Sequence, residues 1–290
     1  GAGRLRFFPE VATEWLTRFV FFFALSAMLF RFAANLSLAE IFDLQFALAY
    51  LTGCTVVYAL AMTVALARGV TLAEAAVEAQ CAIIGNTGFL GVPMLVVLMG
   101  AAAAGPVLMV LCIDLIVFSS LITLIITATR EGHLSPRIFG ALGIGLLKNP
   151  MIVSMLAGLI WSAAALPLPA PAEEFLAMLG AAATPCALFA IGASLATKTA
   201  ERMEVALWLS FAKLIFHPAA VAFAALCVFK VEPYAAHVMI AAASLPVAGN
   251  VYMLARHYGV APQRVSASIL ISTLASIVTV SVVIGLVSQT

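Results

Sequence analysis

Nine apolar runs, each near the length of a bilayer crossing, take up most of this 290-residue chain: Trp15–Ala34, Leu44–Ala67, Leu72–Gly100, Gly105–Ala128, Pro150–Leu166, Phe175–Ala196, Val205–Phe229, Pro233–Tyr258 and Val265–Val287. An α-helix rises about 1.5 Å per residue, so roughly 20 apolar residues cross about 30 Å of hydrocarbon. In that solvent the backbone must satisfy its own hydrogen bonds, and a helix does so within one segment. The expected fold class is an all-α membrane protein with nine spans present. Composition agrees: 64% of residues are hydrophobic and 9% are charged, where a soluble domain carries about 25% charged residues. A net charge of +1 without a basic stripe gives no reason to expect nucleic acid as a partner.

Lys and Arg concentrate in cytoplasmic loops. With the N-terminus cytoplasmic, Arg4, Arg6, Arg68, Arg130, Arg137, Lys148, Lys198, Arg202, Arg256 and Arg264 fall inside. Arg31 and Lys230 fall outside, and Arg18 and Lys213 lie within spans. The expected location is a cell membrane, crossed many times, and a bacterial inner membrane in particular. Cys54, Cys81, Cys112, Cys186 and Cys227 stand singly in apolar runs. They lack metal-ligand spacing and read as small buried hydrophobes.

Two runs are interrupted. "GNTGFLGVP" breaks the third, and "SLPVAGN", residues 244–250, breaks the eighth. Each broken run is followed by one unbroken run, then by the midpoint loop or the end of the sequence. Pairing the runs backwards from those points matches segments of opposite orientation, the pattern of an inverted repeat. The expected architecture is five plus five helices with two crossed broken helices, the first helix being missing here. Residues 1–129 then form the first repeat without that helix, 130–148 a cytoplasmic connecting loop, and 149–290 the second repeat.

A break at membrane depth survives only where protein, water or a ligand takes up the freed backbone groups. Pro93 and Pro246 each remove a donor. Gly85, Gly88, Gly91 and Gly249 are expected to take backbone angles that other residues resist. Asn86, Thr87 and Asn250 add polar side chains beside the breaks. A half-helix that starts after a break presents unpaired N–H groups and partial positive charge, which suits an anion. Asn86, Thr87, Gly88, Pro93, Pro246, Gly249 and Asn250 are therefore the expected substrate-binding residues, for a carboxylate. Either break alone reads equally well as a packing kink; two at matched positions favour a transport site.

"GNTGFLGVPM" and "SLPVAGNVYMLARHYG" resemble the two signature segments of the auxin efflux carrier family. "RFVFFFALSAMLFRFA", "KNPMIVSMLAGLIW" and "ALFAIGASLA" are similar to its helices, so the resemblance covers nearly the whole chain. That family includes plant auxin exporters and bacterial carriers of malate, malonate and similar organic acids. The resemblance implies ten helices in two inverted repeats, with the broken helix fourth in each half, and a homodimer. It also implies a scaffold made here of the first, fifth and sixth runs, and a moving part made of the others. Ser26 departs from the proline usual at its position in the family.

Asp114 lies deep in the fourth run, where a charge costs a few kcal/mol. Lys213 and His217, four residues apart, share a helix face. "KLIFHP" is similar to a Lys-containing stretch of the family's matching helix. Asp114, Lys213 and His217 are the expected coupling residues, with a proton or sodium as the coupling ion. Glu74 and Glu78 read as carboxylates favourable at a helix N-terminus.

The expected function is secondary active transport of a small organic anion, a mono- or dicarboxylate such as malate or malonate, by a proton symporter with alternating access. A sodium-coupled carrier or a cation/proton exchanger on a related crossed-helix plan is the alternative. Exchangers of that kind use paired acids beside the crossing, and Asp114 is the one deep acid here. No cofactor or metal is expected, and no enzyme activity. The chain has no nucleotide-binding loop, HExxH or GxSxG motif, and no filter loop of a channel.

Overall fold

The computed structural model describes residues 8–35, 43–131, 140, 143–144, 147–183, 185–186, 189–190, 193 and 203–287. Arg4, Arg6, Lys198, Arg202 and the centre of the midpoint loop, with His133 and Arg137, lie outside these, as does part of the sixth run. Among the described residues the regular structure is helical. The helices are α1 Val11–Ala34, α2 Leu44–Ala67, α3 Leu72–Ile83, α4 Thr87–Met99, α5 Ala101–Arg130, α6 Pro150–Ala163, α7 Ala170–Ala181, α8 Met203–Val228, α9 Pro233–Ala243, α10 Gly249–Tyr258 and α11 Pro262–Val287. Helices α1, α2, α5, α8 and α11 are each long and apolar enough to cross a membrane alone. The interrupted third and eighth runs become the pairs α3–α4 and α9–α10.

Local chemistry sets the ends. Asp43 caps α2 by accepting from the Gln45 and Phe46 N–H groups. Thr71 and Glu74 form a reciprocal capping box at α3, which satisfies two orphan donors. Asn149 accepts from Met151 N–H at 3.0 Å, with Pro150 first in α6. Glu232 caps α9 ahead of Pro233. Gly259, at φ 64°, ends α10 in the left-handed conformation that glycine adopts without a Cβ penalty.

The polarity of the fold is inside out. Phe22, Phe23, Leu274, Ile277 and Val278 are exposed, while Glu78, Asp114, Lys213 and His217 are buried. Apolar side chains outside and charges within suit a chain whose solvent is lipid. Helices α1, α6 and α7 pack mainly on one another, and the remaining helices pack among themselves. Glycine permits the closest approaches: a Cβ on Gly158 of α6 would lie 2.5 Å from Phe30 O of α1, and one on Gly53 of α2 would lie 2.8 Å from Val221 Cα of α8. Small residues at such points let membrane helices gain dispersion contact that lipid cannot undercut.

The expected sidedness can be compared with the ends of this bundle. At one end Arg264 of α11 donates to Glu74 Oε1 at 2.8 Å and Glu78 Oε1 at 2.9 Å, and Arg68 also pairs with Glu78. Arg130 of α5 donates to Tyr258 O at the end of α10. Glu78, 1% exposed, is therefore more than a helix-end charge: it joins the start of α3 to the end of α2 and the start of α11. At the other end Arg31 pairs with Glu173 at 2.6 Å, and Tyr234 donates to Met99 O at 2.8 Å.

Candidate functional site

The two interruptions meet. Gly85 pairs antiparallel with Val247; Asn86 N–H donates to Pro246 O at 2.8 Å and Ala248 N–H to Ile84 O at 3.0 Å. Val247 N–H donates to Ser272 Oγ of α11 at 3.1 Å. The unwound backbone thus satisfies itself across the junction, the condition for keeping it away from water.

The glycines work differently from the sequence expectation. Gly85, Gly88, Gly91 and Gly249 are not among the residues with positive φ, so unusual backbone angles are not their contribution. At Gly85 what matters is the missing Cβ: one placed there would lie 3.3 Å from both Ala242 O and Leu245 Cβ, and 3.4 Å from Lys213 Nζ. The break itself is at Ile84–Asn86 rather than at Pro93. Beyond it a π turn, Thr87–Gly91, leads into the α-helical part of α4, where Pro93 sits in the first turn. Pro93 therefore stands inside a continuous helix, where its missing N–H follows the wide turn rather than ending the helix. Pro93 instead lines an outer cavity of about 220 Å³ with Met28, Arg31 and Leu176.

A second cavity lies at the junction, lined by Ile84, Gly85, Asn86, Gly88, Phe89, Leu111, Asp114, Met151, Ala248 and Asn250. At about 10 Å³ it holds about one water. Asn86, Gly88, Asn250 and Asp114 thus come together, while Thr87, Pro246 and Gly249 stand beside the cavity in the junction backbone. Asn86 Oδ1, Asn250 Oδ1 and Asp114 Oδ2 are buried without a hydrogen-bond partner. Buried polar atoms are nearly always paired, so three unpaired around one cavity mark a place shaped for something else.

Asp114 uses its other oxygen. Tyr50 O–H donates to Asp114 Oδ1 at 2.9 Å. Behind the junction, Lys213 Nζ donates to Ala243 O at 2.5 Å and lies 3.0 Å from His217 Nδ1. His217 Nε2 lies 3.1 Å from Cys54 Sγ. Lys213 and His217 therefore form one buried cluster, and Asp114 approaches it through α2. Sequence reasoning missed Tyr50, Cys54 and Met151. No local pattern in α2 marked Tyr50 or Cys54; Cys54 is buried, as expected, and also meets His217. Asp114–Phe118 and Ala212–Phe216 are π turns, as is Thr87–Gly91. Val20–Ala24 and Phe223–Val228 are also π turns, so the wide turns that carry Asp114, Lys213 and the start of α4 are three of five among the described residues.

Two interrupted helices that pair beside a small cavity with three unpaired oxygens, within a bundle whose outer face is apolar, fit a membrane transport protein. The family model described as "Membrane transport protein" matches residues 1–284. The chain belongs to this family, the auxin efflux carrier family its signature segments resemble, and it is a multi-pass membrane protein. A protein of Rhizobium meliloti (strain 1021) named "Putative malonate transporter" is 31% identical over 277 residues, covering 94% of this chain and 86% of the relative.

Proposed function

We propose that this transporter carries a small organic anion, a mono- or dicarboxylate such as malonate or malate, together with a proton. The observation that carries the reading is the set of three unpartnered side-chain oxygen atoms, one each on Asn86, Asn250 and Asp114, around the junction cavity. Amide groups of both asparagines and first-turn N–H groups of α4 and α10 would hold the carboxylate, as helix N-termini hold anions. Two carboxylates in one small dry cavity cannot both stay ionised, so an anion beside Asp114 favours a proton on Asp114. The substrate then enters with its own neutralising charge. In the loaded carrier, Lys213 supplies a positive charge behind Gly85.

The repeat logic supports five plus five helices as an inverted pair, divided at residues 130–148, working by alternating access. The separate packing of α1, α6 and α7 supports their role as scaffold. We infer a homodimer in a bacterial inner membrane. The name of the Rhizobium relative supports malonate as the first substrate to test. Sodium as the coupling ion is the second reading, favoured by the oxygen atoms among the unpaired groups, since hard cations take oxygen ligands.

Uptake of radiolabelled malonate, malate and acetate into proteoliposomes tests this, with a pH gradient and with sodium replaced by choline. Wild-type uptake is expected to follow the pH gradient. A charge-assisted hydrogen bond is worth about 1.5–3 kcal/mol, so Asn86→Ala and Asn250→Ala should each weaken apparent affinity about ten- to a hundredfold. Wild-type affinity in both variants would remove the site, and uptake abolished by choline would favour sodium.

A further inference from the structure

Asp114 and Lys213 make no direct ion pair among the described residues, yet polar groups span the gap. We propose that Tyr50, Cys54 and His217 form a proton relay joining Asp114, in the cavity, to Lys213, sealed behind the junction. This rests on the transport reading above.

The contacts run in one line. Tyr50 O–H donates to Asp114 Oδ1 at 2.9 Å. The Tyr50 and His217 rings lie 6.0 Å apart, and Cys54, one turn from Tyr50 along the same face of α2, is the polar group next to both. Its sulfur is 3.1 Å from His217 Nε2, and His217 Nδ1 is 3.0 Å from Lys213 Nζ. Tyr50 is 1% exposed, and Cys54, Lys213 and His217 are 0% exposed. The titratable groups facing one another are Tyr50 and Cys54 from α2, Asp114 from α5, and Lys213 and His217 from α8. Helix α9 adds only the Ala243 carbonyl, which Lys213 and His217 share.

That shared carbonyl lets the imidazole hold either tautomer. With Nε2 protonated, Nδ1 accepts from Lys213; with Nδ1 protonated, it donates to Ala243 O and Nε2 accepts from the Cys54 thiol. The transfer balances. The Lys213 ammonium gives a proton to Nδ1, and Nε2–H passes one to Cys54 sulfur. The thiol proton moves to Tyr50 oxygen, and the phenol proton moves to Asp114 Oδ1. One ammonium and one carboxylate become an amine and a carboxylic acid, and the three intermediates end as neutral as they began. Run in reverse, the same line recharges Lys213 from the cavity. The empty carrier can therefore return with no buried charge, and Lys213 regains its charge without touching water.

The test separates two transport modes in proteoliposomes. Counterflow of labelled against unlabelled malonate at equal pH lets the carrier return loaded, with no change of protonation. Net uptake driven by a pH gradient requires the empty return. Cys54→Ala and Tyr50→Phe should lower net uptake about tenfold or more while lowering counterflow far less, and Cys54→Ser, whose hydroxyl both accepts and donates, should restore net uptake. A drop of equal size in both modes, wild-type net uptake in both variants, or failure of serine to restore it overturns the relay. If the wild-type chain moves malonate, malate and acetate in neither mode, the transport reading falls and takes the relay with it.

Discussion

At the scale of single residues, the junction depends on what is absent at Gly85 as much as on what is present at Asn86. A methyl group at Gly85 would crowd Ala242 O, Leu245 Cβ and Lys213 Nζ at 3.3–3.4 Å. The carbonyl and the Leu245 Cβ are rigid, so the strain falls on the backbone pairing. Overpacking of this kind costs about 1–3 kcal/mol. Gly85→Ala is expected to lower the melting temperature in detergent and to reduce malonate uptake; an unchanged melt would show that the junction has slack. Asn86, Asn250 and Asp114 were legible in the sequence because polar residues are costly in an apolar run and so stand out. Tyr50 and Cys54 were not, because each is ordinary in a membrane helix. Only the fold, which turns α2 toward α5 and α8, gives them partners.

Among the helices, the ion pairs of Glu74 and Glu78 link α3 to α11 and to the end of α2. Glu78 is buried and faces both Arg68 and Arg264, while Glu74 is 27% exposed on its side chain. Removing one partner of a buried pair costs about 3–5 kcal/mol, and an exposed pair contributes about 0–1 kcal/mol. Thermal unfolding should therefore show Glu78→Gln as much the more damaging change and Glu74→Gln as mild. Similar losses would mean that water reaches Glu78. In the group of α1, α6 and α7, Gly158→Ala sets a Cβ 2.5 Å from Phe30 O and is expected to separate α6 from α1, again read as a lowered melt. Helix positions followed from hydrophobic runs, and α2 matches its expected limits. The break in the third run was expected over residues 85–93, and the unwound residues, Ile84–Asn86, lie at the start of that stretch. Pro93 is a strong local signal, whereas the real interruption depends on residues 246–248, which no local pattern in α3 reveals.

For the whole molecule, a cavity of about 10 Å³ is too small for a dicarboxylate, so the proposed function requires the two packing groups to part. Met151 of α6 lines that cavity, and Cys112 Sγ of α5 lies 3.2 Å from Met155 Sδ of α6. Tying α5 to α6 there should stop transport. Met155→Cys, bridged to Cys112 with a short bis-methanethiosulfonate, is expected to lose uptake, and a thiol reductant should restore it. The same reagent should spare the wild-type chain. Uptake that survives the bridge would place the motion elsewhere.

The pairing of Gly85 with Val247 also constrains biosynthesis. The first interruption enters the bilayer long before its mate has been translated. Until then the peptide groups of Ile84–Asn86 have no partner that lipid can replace. The early half must wait beside the insertion machinery or in a watery cleft. The amino-terminal half expressed alone should therefore be unstable and rapidly degraded, and co-expression of the carboxy-terminal half should rescue it.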